Sequence, residues 1–216
     1  ATDDVAYWHR LAEILKIAWR DRVRYLADPD FVDVPVQRLL SKDYAAERVE
    51  HMRQFPDHVD TSESPDAGAS PGDTFHMSSA DAHGLMVSAT LSHGGDFGSG
   101  FVVPGTGVVL GHGMCRFDPR PGHANSIAPG KRPLNNTCPM LVRLPERDIA
   151  IGLPGGRRIV SVNAQMVQRI VDFDATGFEA ITAPRMHLGV QEPVELTNSV
   201  DEAVITGLGD LGHTVR

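Results

Sequence analysis

In this 216-residue chain, the stretch whose residue types and spacing could do chemistry is Gly72-Asp73-Thr74-Phe75-His76-Met77-Ser78-Ser79. There a Pro/Ser/Asp-rich connection gives way to strand-like sequence that opens on a threonine. Scission of the Asp73–Thr74 bond would free an α-amino group with an ordinary pKa of about 8 beside the Thr74 hydroxyl, so one residue would supply both nucleophile and general base. Threonine is also a common way to start a strand, and the pair by itself assigns no activity. Other chemistries find less support. His76, His83, His93, His112 and His123 lack the acidic or cysteine company at helical spacing that a zinc site uses, so no metal and no cofactor are expected. Ser88, Ser92 and His93 come without a Gly-x-Ser-x-Gly elbow, which argues against a serine triad.

The elements that must position Thr74 follow from periodicity. Val5, Trp8, Ala12, Leu15, Trp19 and Val23 recur at threes and fours and predict an amphipathic helix over about 3–25, with Asp3 and Asp4 at its positive end. Pro29 breaks it. A short helical stretch to Leu40 follows, then Ser41 as N-cap of a second helix over about 42–53 with Tyr44, Ala45, Val49 and Met52 inward. From Gln54 to Asp73 periodicity is lost and Pro, Ser, Gly and Asp predict an exposed connection. Thr74–Ala80 and Leu85–Leu91, joined at Asp81-Ala82-His83-Gly84, predict a hairpin suited to a buried sheet. Val108–Leu110 predicts a further short strand, and Met140–Leu144 with Ile149–Leu153 a second hairpin. Helices are expected over about 159–173, with Val162, Met166, Ile170 and Phe173 aligned, then at 177–182 and 200–211. Helices, strands, then helices suggest sheets covered by helices.

Composition bounds the rest. A formal charge of -8 and the lack of a long Lys/Arg run argue against a nucleic-acid partner. Cys115 and Cys138 are two, far apart and without metal spacing, and are expected as small buried hydrophobes. No apolar run reaches membrane-spanning length, and Ala1-Thr2-Asp3-Asp4-Val5 does not read as a signal peptide, so the compartment stays open.

Five segments lie in order along the chain: Thr74-Phe75-His76-Met77-Ser78, Phe97-Gly98-Ser99-Gly100, Pro129-Gly130-Lys131-Arg132-Pro133-Leu134, Pro154-Gly155-Gly156-Arg157-Arg158-Ile159 and Ala183-Pro184-Arg185. Together with Tyr25-Leu26-Ala27-Asp28-Pro29-Asp30-Phe31 they resemble the γ-glutamyltranspeptidase family of N-terminal nucleophile hydrolases. The resemblance implies an α+β fold, the four-layer αββα sandwich of that superfamily, incomplete here at both ends. It divides the chain into 1–73, the end of a large-subunit-like region plus linker, and 74–216, a truncated small-subunit-like catalytic region, together one structural domain. Cleavage between Asp73 and Thr74 would yield a large/small heterodimer, and members are often periplasmic or secreted.

The same resemblance implies Thr74 as nucleophile, Thr90 as its hydrogen-bonding support, and Gly155 and Gly156 as the oxyanion hole, where glycine amides can approach a developing negative oxygen. The substrate positions fall on Ser92, Arg116, Asn135 and Asn136. Here the chain departs from the family. Ser92 replaces an Asn, Asn135-Asn136 replaces a Ser-Ser pair, and Arg116 stands where an acid would hold the α-ammonium of a γ-glutamyl group. A cation there repels an ammonium and attracts a carboxylate. The family's upstream carboxylate-gripping arginine has no counterpart. The implied activity is acyl transfer or amide hydrolysis through an acyl-enzyme, on a small γ-glutamyl or other acyl amide with an amine or water as acceptor. A related acylase with a non-glutamyl substrate and a non-catalytic binding homologue are the alternatives.

Overall fold

The computed structural model describes residues 4–54, 74–190 and 193–216. The predicted connection beyond Gln54, with Asp73, lies outside the described residues. Among the described residues no helix is long and apolar enough to cross a membrane. Mixed helix and antiparallel strand are arranged in two compact units.

The first unit gathers described residues up to 54, then 117–134 and 184–216. Helix α1 (Val5–Tyr25) starts where the Asp4 carboxylate accepts from the Ala6 amide at 2.9 Å. Its stripe of Trp8, Ala12, Leu15 and Trp19 is buried as the periodicity predicts. Trp8, Ala12 and Leu15 pack on Met186, Leu188, Val194, Val200, Val204 and Leu208, from the C-terminal elements β5 (Met186–His187) and α6 (Glu202–Asp210) and the segments beside them, with Leu196 of β6 (Glu195–Leu196) partly buried against the cluster. The short α2 (Val36–Leu39) leads to α3 (Lys42–Gln54), and Ser41 Oγ accepts from the Tyr44 amide at 3.1 Å, the cap expected of it.

Two segments distant in the sequence meet in this unit. The Asp28 side chain is 1% exposed and is gripped by Arg132 through the backbone amide (2.7 Å), Nε (3.1 Å) and Nη2 (2.5 Å), with Nη2 also 2.6 Å from Asp30. The Arg132 guanidinium, then its backbone N–H, hold the Asp28 carboxyl well below the usual carboxylate range. The Asp28-Pro29-Asp30 and Lys131-Arg132-Pro133 segments therefore serve each other.

The second unit holds residues 74–116 and 135–183 of the described chain. Strands β1 (Thr74–Ala80) and β2 (Met86–Ser92) form an antiparallel hairpin with Thr74 opposite Ser92 and His76 opposite Thr90. Asp81 Oδ1 accepts from the amides of His83 and Leu85 at 2.8 and 2.9 Å and closes the turn. A second hairpin pairs β3 (Met140–Arg143) with β4 (Asp148–Ile151). Helix α4 (Arg158–Asp172) and α5 (Gly177–Thr182) cover it, burying Val162, Met166, Ile170 and Ala180 around Ile151. A capping box between Thr176 and Glu179 starts α5.

Several expectations are corrected. Val108–Leu110 is not a strand, and only Val109 bridges, to Val102. The β1–β2 hairpin is not buried on both faces: Phe75, Met77 and Leu91 stand about half exposed while the hydroxyl-bearing face is partly covered, because alternation puts every polar partner on one side. Among the described side chains of α3 only Tyr44 is buried, with Val49 exposed, and Phe173 at the end of α4 is exposed too. Cys115 is exposed and Cys138 half-buried rather than both buried, since Cys115 sits in the one-turn 3-10 helix Gly113–Arg116. The strands β5 and β6, two residues each, are too short for any periodicity to announce.

Candidate active site

The partly covered face of the β1–β2 hairpin carries Thr74, His76 and Ser78 from one strand and Ser88, Thr90 and Ser92 from the other. Directly opposed residues on one face sit within reach of each other. Thr74 Oγ1 and Ser92 Oγ are 2.8 Å apart, and Ser92 Oγ also accepts from the Gly94 amide at 3.0 Å. With the Gly94 N–H taking one lone pair, the Ser92 hydroxyl is fixed beside Thr74. His76 Nδ1 lies 2.9 Å from Thr90 Oγ1, and its Nε2 3.0 Å from Ser78 Oγ.

The His76 ring also reaches the second hairpin. A Cβ built on Gly152 would fall 2.1 Å from His76 Cε1 and 2.2 Å from Nδ1, so only glycine allows the imidazole to lie on that backbone. Ser88 Oγ donates to the Ile151 carbonyl at 3.0 Å, one residue earlier. Through these two contacts the polar face of β1–β2 is held against the end of β4, from which the chain runs through Gly155 and Gly156 into α4. Thr74 lies two residues, about 7 Å of extended strand, before His76. Gly155 (φ 136°) and Gly156 (φ 60°) turn the backbone in a way that L side chains rarely allow, and their carbonyls accept from the Arg158 and Ile159 amides in the first turn of α4. Burial pushes the neighbouring Arg157 guanidinium below its ordinary pKa, a cation held beside the start of this helix.

The two hydroxyls across from β1 have different neighbours. Thr90 was expected to support Thr74, but its hydroxyl holds His76, and Ser92, expected at the substrate, holds Thr74. His76 was weighed only as a metal ligand, and Gly152 was not singled out. Arg116 ends the 113–116 turn half-buried, and Asn136 is half-buried. Asn135 is exposed and its Oδ1 accepts from the amides of Asn136 and Thr137 at 2.8 and 3.1 Å, a turn-forming use of the side chain.

Comparison with known proteins gives the family. Residues 1–216 match the family model described as Gamma-glutamyltranspeptidase. The chain is 42% identical over 213 residues to the Acylase ACY 1 proenzyme of Pseudomonas sp. (strain SE83), covering 96% of this chain and 37% of that protein. To the Glutathione hydrolase proenzyme of Pseudomonas aeruginosa it is 38% identical over 192 residues, covering 84% of this chain and 34% of that protein. The crystal structure of cephalosporin acylase from Bacillus halodurans superimposes with a TM-score of 0.82 at 27% identity, covering 100% of this chain and 39% of that one. The chain thus spans well under half the length of these relatives. By its full-length family match and these identities, the chain belongs to the γ-glutamyltranspeptidase family of N-terminal nucleophile hydrolases.

Proposed function

We propose that this chain carries the acyl-transfer centre of an amide hydrolase or acyltransferase whose nucleophile is Thr74, released by scission of the Asp73–Thr74 bond. The observation that carries the reading is the Thr74–Ser92 hydroxyl pair of 2.8 Å at the head of β1, on the strand face that His76 ties to Gly152. In this reading Thr74 Oγ attacks the amide carbonyl carbon as its proton passes to the Thr74 α-amino nitrogen. The oxygen of the tetrahedral intermediate takes hydrogen bonds from the amides of the Gly155-Gly156 turn. Collapse breaks the C–N bond, the amine leaves with the proton, and water or an acceptor amine then cleaves the ester and restores the hydroxyl. Ser92 orients the nucleophile, and Thr90 acts one step back, through His76.

The fold proposed with this chemistry is the four-layer αββα sandwich. The pieces on either side of position 73 belong to one domain, as a large/small pair after cleavage. Support comes from the first unit, which draws on both sides of that bond, and from the word proenzyme in the names of both curated relatives.

A specific observation favours a non-glutamyl acyl group. Arg116 stands at the position of the expected acid, and the relative with 42% identity is named an acylase. The substrate class is then an amide whose acyl part carries a carboxylate but no ammonium. Glutaryl-p-nitroanilide and γ-glutamyl-p-nitroanilide differ by just that amino group and test it. The glutaryl amide is expected to give at least about tenfold higher kcat/KM, the size of one unfavourable charge contact. Preference for the γ-glutamyl amide would overturn the substrate class and leave the nucleophile standing. Turnover of neither, without an acylated Thr74, would favour the binding homologue.

A further inference from the structure

Among the described residues, one group of three metal-ligating side chains converges, and it lies in the first unit, apart from the acyl chemistry: His9, Glu13 and His213. His9 and Glu13 stand four residues apart on α1 and so share a helix face. His213 follows α6 by a route that fixes it. The His213 amide donates to the Leu208 carbonyl at 3.0 Å and the Gly212 amide to the Gly209 carbonyl at 2.9 Å, the paired bonds of a Schellman end with Gly212 at φ 89°. Beyond it, the Val194 amide donates to the Thr214 carbonyl at 2.8 Å and the Arg216 amide to the Val194 carbonyl at 2.8 Å. The three side chains are therefore delivered by backbone pinned on both sides.

The donor geometry is compact. His9 Nδ1 and His213 Nε2 are 2.8 Å apart, and one ligand atom from each of the three residues lies within 4.8 Å of the others. Any three atoms so spaced leave a point within about 2.8 Å of all of them, against zinc–nitrogen and zinc–oxygen distances of about 2.0–2.2 Å. Sub-ångström side-chain shifts close the difference, the two nitrogens parting by roughly 0.5 Å to suit a tetrahedral ion. Glu13 is 4% exposed and His213 7%, so an anionic oxygen and an imidazole meet away from bulk water. Lys16 Nζ lies 2.9 Å from Glu13 Oε1, and Glu13 offers a carboxylate oxygen within 4.8 Å of a ring nitrogen of each histidine.

We propose that His9, Glu13 and His213 form a three-ligand site for a zinc-class divalent cation, which ties the start of α1 to the end of α6. Two imidazoles and one carboxylate select zinc, cobalt or nickel over magnesium or calcium, which prefer all-oxygen shells. The signal in the sequence is the His9-x-x-x-Glu13 pair on the first predicted helix, which acquires its third member only on folding.

The test titrates the metal-free full chain with Zn2+ by calorimetry and with Co2+ by visible absorption. One saturable site per chain is expected, with the cobalt bands of a four- or five-coordinate nitrogen–oxygen shell. His213→Gln and Glu13→Gln should each weaken binding at least about tenfold, while His83→Gln, on an exposed turn, leaves it unchanged. If the buried variants lose their circular dichroism signal, X-ray absorption of the unmodified chain loaded with Zn2+ decides between the outcomes. Two imidazoles and a carboxylate oxygen support the site. Fewer than two imidazoles, binding indifferent to His213→Gln, or no stoichiometric uptake would overturn it.

Discussion

Two polar clusters, one in each unit, hold their groups in opposite ways. In the first, Asp28 is taken out of water with its charge intact and surrounded by N–H donors from Arg132 and Asp30. In the second, the polar groups on one face of the β1–β2 hairpin are hydroxyls and an imidazole joined in pairs, with no carboxylate among these. A charge bound by several donors is consumed by structure, since moving it would leave a buried ion unpartnered. A hydroxyl held by one neighbouring hydroxyl is oriented but still able to give up its proton. The difference teaches where chemistry can reside: the Asp28–Arg132 network is scaffold, and the loosely paired cluster holds the proposed nucleophile.

Four measurements break or sharpen that contrast. The largest effect is expected from Thr74→Ala, which should lower kcat at least about a thousandfold while leaving the circular dichroism spectrum and urea midpoint near those of the parent. Acid should act on the other unit. Because the folded pKa of Asp28 is depressed by Arg132, its contribution to stability is complete above the ordinary carboxylate value of about 3.9 and is lost as pH falls through the folded value. Urea midpoints measured from pH 5 downward should therefore decline, and Arg132→Gln should flatten that decline. An acid limb unchanged by Arg132→Gln would remove the ion pair from its assigned place.

Gly152→Ala comes next. Its Cβ overlaps the His76 ring, and the clash should cost about 1–3 kcal/mol in urea unfolding, with His76 displaced from Thr90. The smallest effect belongs to Ser92→Ala, where loss of one neutral hydrogen bond, about 1 kcal/mol, should lower kcat roughly fivefold with KM little changed. Thr90→Ala should act less than Ser92→Ala. The reverse order would restore Thr90 as the direct support of the nucleophile.

Much of the scaffold was legible because it is periodic. Trp8, Ala12, Leu15 and Trp19 announced α1, and Val162, Met166 and Ile170 announced α4. Which of Thr90 and Ser92 lies beside Thr74 was harder to read, since strand alternation puts both on the face of Thr74. What separates them is register. The Asp81 amide closes on the Leu85 carbonyl at 3.0 Å, and counting outward from that pair sets Ser92 opposite Thr74 and Thr90 opposite His76. The side chains that meet from distant parts of the chain left no local signal. Asp28 and Arg132 are 104 residues apart, and His9 and His213 are 204 apart, so only packing reveals either pair. The half-exposed Phe75 and Met77 were misjudged for a related reason: residue type announces a strand but not which of its faces finds a cover.

The central claim is that the attacking atom is the hydroxyl of a threonine made N-terminal. Its most direct test is to quench the protein with acid during turnover of an acyl p-nitroanilide and map the peptides by mass spectrometry. The account predicts a peptide that begins at Thr74 and carries the acyl group on that residue. Continued turnover with Thr74 unacylated and still joined to Asp73 would contradict it.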